Sequence, residues 1–191
     1  MYARIHPTTR AELREWLAAH HRQEKGIWLV SFKKETGEPR IPYEDICEEL
    51  VCFGWVDSRP AKLDARRTML LCTPRKKSSA WSKPNKDRVA RMTKAGKMAQ
   101  AGLDAVKEAR ASGRWSALDA VERLEVPEDL AAALEARASA RQNFDAFPRS
   151  ARRGILEWIA QAKRPETRAR RVEQTARLAA ENERANQWPR T

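Results

Sequence analysis

Between Gly54 and Asn85 the chain concentrates the residue types that hold anions and aromatic ligands. Trp55 and Asp57 leave a helix end, Asp64 lies in the loop that follows, and Arg75 follows a strand. Ser79, Trp81, Ser82 and Asn85 crowd the loop into the next helix, and Lys76, Lys77 and Lys83 add positive charge beside an indole. An aromatic face flanked by guanidinium and ammonium groups can hold a phosphate, a carboxylate or a nucleobase. These eight residues are therefore the expected pocket for an anionic ligand, provided the segment folds back so that they converge. The same residues allow a purely architectural outcome. Asp57 and Asp64 would then pair with Arg75 or Arg59, the indoles would fill the core, and Ser82 or Asn85 would cap the next helix.

A second constellation stands near the C-terminus. A helical stripe over 150–163 is followed by Lys163-Arg164-Pro165-Glu166 and an Arg-rich helix. In a helix-turn-helix the second helix enters a DNA groove, where Arg168, Arg170 and Arg171 could touch phosphates; Lys163, Arg164, Arg168 and Arg171 are the candidates for holding an anionic partner. Alternatively the arginines cover apolar neighbours with their stems, and Pro165-Glu166 is simply a good helix start.

Catalytic and metal chemistry find less support. His20 and His21 point to different faces of one helix, and Cys47 and Cys52, five apart, also miss a shared face. No Cys/His spacing matches a zinc site, so no metal or cofactor is expected. There is no G-x-S-x-G elbow, P-loop or G-x-G-x-x-G. Cys72 reads as a small buried hydrophobe, and Glu48-Glu49 as a helix surface pair. No catalytic residue is assigned, and the residues favour a binding protein over an enzyme.

The elements that must carry these groups follow from periodicity. Thr9-Arg10-Ala11-Glu12 fits a capping box for a helix to about His21. Ile27 to Lys33 is apolar and β-branched, as is Thr68 to Thr73, and Trp55-Val56-Asp57 starts another extended piece. Ile46, Leu50 and Val51 mark the buried face of a helix over 43–53, with Gly54 just past its end. From Asn85 the pattern is helical, with helices about 99–111, from Pro127 to about Ala136, around 143–147, over 150–163 and over 166–184; residues 186–191 form a frayed tail. Of 31 alanines, 23 lie from Ala95 onward, and Ala is the strongest helix former. The predicted fold is α+β: a small antiparallel sheet with packed helices over 1–84, then a mainly helical region over 85–191.

The formal net charge of +12 is uneven. Residues 59–97 hold 13 basic against 2 acidic side chains, and residues 136–191 hold 13 against 6, while 98–135 are net acidic. Such asymmetry suits an anionic partner: nucleic acid, an anionic lipid surface or phosphate. Three cysteines are no disulfide framework. No apolar run reaches a membrane span, and the N-terminus lacks a secretory h-region, so a reducing cytoplasm is the expected compartment.

Two ordered blocks carry a family resemblance. The first is Cys52-Phe53-Gly54-Trp55-Val56-Asp57-Ser58, Asp64, Thr73-Pro74-Arg75, Ser79-Ala80-Trp81-Ser82-Lys83, Asn85, Gly96-Lys97-Met98 and Ala101-Gly102. It resembles the pattern of the YdeI/OmpD-associated family. The second is Trp158-Ile159, Ala162-Lys163-Arg164-Pro165-Glu166-Thr167-Arg168 and Arg170-Arg171. It is similar to the signature of that family's bacteriocin-protection (OmdA) region. The resemblance implies a bacterial role in envelope stress and in resistance to bacteriocins or cationic antimicrobial peptides, and it carries over no catalytic residues. The expected function is thus a non-enzymatic stress or bacteriocin-protection factor that binds an anionic ligand or partner. The alternatives are a nucleic-acid-binding protein using its basic surfaces and an enzyme of unknown class.

Overall fold

A computed structural model describes residues 2–186. The expected frayed tail, apart from Asn186, lies outside the described residues. Within the chain, two compact units divide between Ala117 and Leu118.

The first unit opens with β1 (Ala3–Ile5), α1 (Arg10–His20), β2 (Ile27–Phe32), α2 (Tyr43–Cys52), β3 (Trp55–Lys62) and β4 (Arg67–Pro74). The strands form one sheet in the order β1-β2-β4-β3. β2–β4 and β3–β4 pair antiparallel, as expected, but β1 pairs parallel with β2 across α1, so the sheet is mixed. Thr9 caps α1 by accepting the Glu12 N–H at 3.2 Å, while the Glu12 carboxylate returns to the Thr8 N–H at 2.8 Å.

Strand register puts Ile27, Leu29 and Ser31 of β2 on one sheet face with their β4 partners Cys72, Leu70 and Thr68. Side chains alternate faces along a strand, so Asp57, opposite Cys72, shares that face. Ile27, Leu29 and Cys72 are sealed there by Leu13 and Leu17 of α1 and Ile46 and Leu50 of α2. β3 is an edge strand whose register shifts between Asp57 and Pro60. An edge bulge tolerates a proline, because no ladder hydrogen bond is lost.

Two further helices, α3 (Lys83–Lys94) and α4 (Gln100–Ala111), complete this unit. Both pack on α2, so they belong with the sheet rather than with the C-terminal helices among which sequence periodicity placed them. Charged side chains tie α1, α2 and α3. Glu49 is 1% exposed, not on the surface as its pairing with Glu48 suggested. It accepts from Arg10 Nε at 2.6 Å and from Arg14 Nη1 at 2.7 Å. Arg88 reaches the Glu44 carboxylate with two nitrogens, at 3.1 and 2.6 Å.

The second unit contains α5 (Asp119–Glu122), α6 (Glu128–Glu135), α7 (Ala140–Ala146), α8 (Arg149–Ala160) and α9 (Pro165–Ala180). Packing of α9 on α6, α7 and α8 buries Leu130, Leu134, Phe144, Ile155, Ile159 and Ala176. Among the described residues no helix is long and apolar enough to cross a membrane.

Candidate functional site

The eight residues expected to form one pocket fall into separate places. Trp55 is 1% exposed, its indole N–H donates to the His21 carbonyl at 2.9 Å, and its ring meets Trp16 edge-on. Trp81 is also 1% exposed and packs among Val51, Val89, Val106 and Ala109. Both indoles are core, as the architectural alternative required. Asp64 does not meet Arg75 or Arg59. It closes the β3–β4 hairpin, accepting the Arg66 and Arg67 N–H groups at 2.9 and 2.7 Å and the Arg67 Nε at 2.8 Å. These bonds, the Arg67 side chain foremost, hold its carboxyl below the usual range.

Arg75 lies over the Trp81 ring at 3.9 Å and donates from Nη1 to the Ala80 carbonyl at 3.1 Å. Burial pushes its guanidinium down to about 10, with Asp57 opposing the shift. Ser79 turns its loop by an N–H to the Lys76 carbonyl at 2.9 Å. Ser82 holds the cap position of α3 without a side-chain cap bond. Asn85 accepts from Arg88 Nη1 at 2.8 Å, and so orients the arginine that binds Glu44. The hollow beside Arg75 and Trp81 is about 20 Å³, room for roughly one water. A ligand-sized pocket does not form there.

The glycines of the same motif have a packing reason. Gly54 takes φ +74° and lies against the Ala101 carbonyl. A Cβ on Gly102 would fall 2.3 Å from the Cys52 carbonyl oxygen. The two glycines let the start of α4 seat on the end of α2.

Of the eight, Asp64 lines a hollow of about 370 Å³ with Phe32, Ala65, Arg66 and Arg67 at the β3–β4 hairpin, and Asp57 opens on another. A hollow of about 610 Å³ lies between the start of α2 and the sheet, within the ~300–1,000 Å³ range of small-molecule sites. Its apolar lining includes Phe32, Ile41, Ile46, Pro60 and Leu70. Lys33, Lys34 and Arg40 bring positive charge, against Glu35 and Asp57. Lys33 donates to the Ala65 carbonyl at 2.8 Å. Lys34 and Arg40 are exposed and pair with no carboxylate among the described residues. The Tyr43 hydroxyl, on a side chain 54% exposed, donates to Asp57 Oδ2 at 2.7 Å. Burial first, and then that bond, push the phenol well above its usual range. The pair thus presents a protonated hydroxyl beside a carboxylate, a fixed set of polar contacts over an apolar floor. Below it, burial drives the Cys47 thiol up to about 11 and the Cys72 thiol higher still.

Sequence reasoning found Asp57 but not Lys34, Arg40 or Tyr43. The local signal was Arg40-Ile41-Pro42-Tyr43, where a helix start places an exposed tyrosine next to a cation. What completes the hollow is long-range, from segments 31–35, 40–46, 57–60 and 68–70.

The C-terminal cations divide in two. Arg168 grips Asp129 with Nε and Nη2 at 2.7 and 2.9 Å, fastening α9 to α6. Arg171 donates to the Trp158 carbonyl and lies over the Trp158 ring at 4.8 Å. Both serve packing. Lys163 and Arg164, at the α8–α9 turn, are exposed and pair with no carboxylate among the described residues.

The fold and site define a two-part protein: a helix-backed mixed sheet with an amphipathic hollow, and a helical unit in which α9 packs on three neighbours. Family comparison finds a YdeI/OmpD-associated domain in the second part: residues 123–182 match the model described as Bacteriocin-protection, YdeI or OmpD-Associated (OmdA). Residues 5–105 match a second model, a domain of unknown function (DUF8412). The first motif block falls inside this second match and the later block inside the OmdA match. No curated protein and no solved structure matches the chain.

Proposed function

We propose that this protein is a stress or bacteriocin-protection factor that acts by holding an anionic, amphipathic small molecule in the hollow between α2 and the sheet. The observation that carries the reading is the hollow itself. About 610 Å³ of space combines an apolar floor with two unpaired cations and the Tyr43–Asp57 pair. Apolar burial supplies most of the affinity in such a site, and a few fixed polar groups supply orientation. The cations Lys34 and Arg40 suit a carboxylate or phosphate head, and Asp57 suits a hydroxyl or amine donor on the same ligand. The family's association with bacteriocin protection supports the physiological part.

The reading is tested by thermal shift with 2-naphthoate and decanoate, beside neutral 2-naphthylmethanol and decanol. The acids should raise the melting temperature more than the alcohols. Arg40→Ala should weaken the acids selectively, and Asp57→Asn should alter affinity without unfolding the chain. Equal stabilisation by acids and alcohols, or shifts indifferent to both substitutions, would remove the proposal.

A further inference from the structure

A second surface of the N-terminal unit shares no lining residue with the hollow. The loop after β4 and the turn after α4 meet where the Trp81 N–H donates to the Arg114 carbonyl at 3.2 Å. The Trp81 and Trp115 rings lie 5.2 Å apart, tilted by 43°. Trp81 is sealed, but Trp115 above it is only half-buried. Cations from the loop after β4, from α3 and from the end of α4 gather on this pair. Arg75 lies over Trp81 at 3.9 Å; Lys86 and Arg110 lie over Trp115 at 5.5 and 5.0 Å. Lys76, Lys77 and Arg114 are exposed on the loop after β4 and the turn after α4. Glu108 enters the group and is taken by Lys77 at 2.8 Å. Lys76, Arg110 and Arg114 pair with no carboxylate among the described residues.

We propose that this surface binds single-stranded nucleic acid. Exposed cations without carboxylate partners attract anions, and the roughly 20 Å³ hollow beneath is too small to take one in. The partner must therefore run over the surface, presenting several negative charges in series. The half-buried Trp115 indole, with Lys86 and Arg110 over its ring, adds an aromatic and guanidinium surface on which unpaired bases can stack, as a closed duplex can only through its ends. Phosphates would lie along Lys76, Arg110 and Arg114, with a base against Trp115. This site is independent of the α2 hollow, and either can fail without the other.

The test is fluorescence anisotropy of the full chain with a labelled 12-mer of thymidine nucleotides and an abasic 12-mer. For about four phosphate contacts, the single-strand salt slope of roughly −0.7 per contact weakens binding about 50-fold between about 50 and 200 mM salt. The double substitution Lys76→Glu/Arg114→Glu should weaken the thymidine oligomer by about tenfold or more. Lys34→Glu/Arg40→Glu, the same change in net charge at the other site, should leave it within about threefold. All four side chains are exposed, so both variants should fold, which their unfolding curves would check. The abasic strand should bind several-fold more weakly than the thymidine strand. The proposal is overturned by absence of binding at about 50 mM salt, by equal losses in the two double variants, or by equal affinity for the abasic strand. It is also overturned if the protein ignores the oligomer but binds phosphatidylglycerol vesicles through Lys76 and Arg114.

Discussion

Trp81 and Arg75 stack on one another, yet their removal should have opposite consequences. Trp81 is sealed among aliphatic side chains, so Trp81→Ala leaves a large cavity and should cost about 3–5 kcal/mol in urea unfolding. A loss below about 1 kcal/mol would contradict its place in the core. Arg75 is largely enclosed, its Nε has no hydrogen-bond partner, and burial depresses its guanidinium to about 10. Replacing an incompletely satisfied buried cation with an apolar side chain of similar length is often neutral or stabilising. Arg75→Met should therefore change unfolding stability by less than about 1 kcal/mol in the unfavourable direction. A loss above about 2 kcal/mol would show that the Ala80 bond and the indole contact outweigh desolvation. The sequence made this indole–arginine pair legible as a pair, since both stand in one short segment. Their burial was not legible, because Val51, Val89, Val106 and Ala109, which seal Trp81, come from three different helices.

Helix seating sets the next level. α2 carries the first residue of the polar pair in the hollow, and α1, α3 and α4 all pack on it. Gly102 permits the approach of α4. In Gly102→Ala the new Cβ would meet the backbone oxygens of Cys52 and Val51 at 2.3 and 2.7 Å, so α4 must move. Overpacking of this kind should cost about 1–3 kcal/mol by urea unfolding, and an unchanged midpoint would contradict the seating. The α2–α3 contact rests partly on Glu44, whose carboxyl is held below its usual range chiefly by the Arg88 hydrogen bond. A carboxyl depressed in the folded state adds stability that is present above its ordinary value of 4.5 and fades as pH falls through the depressed one. Glu44→Gln should therefore lower stability at pH 7 and have less effect at pH 3. An equal loss at both values would contradict the pairing. At this level β2, α2 and β4 could be read from periodicity, because each buries one regular face. β1 could not: three residues, two of them exposed, are too short a run to define a strand, and their parallel pairing exists only once α1 has crossed over.

Charge and core divide differently across the whole chain. Residues 1–117 hold 24 basic against 14 acidic side chains, and residues 118–191 hold 14 against 12. The net positive charge thus belongs almost entirely to the sheet-bearing unit, although the Arg-rich run at 163–171 is the more conspicuous in sequence. In the helical unit the arginines meet carboxylates: Arg168 with Asp129, Arg153 with Glu122 and Glu157, and Arg137 with Glu173. The sheet-bearing unit also holds its own apolar clusters. Residues 1–117 expressed alone should therefore give one cooperative transition by circular dichroism, and a broad, non-cooperative melt would contradict that. The hollow over Leu70 and Ile46 is tested most directly by amide chemical-shift mapping of the labelled protein with 2-naphthoate. Shifts confined to residues 31–46 and 57–70, and abolished in Arg40→Ala, are the expected result. Saturable shifts centred on Trp81 and Trp115 instead, with residues 31–46 unmoved, would contradict it.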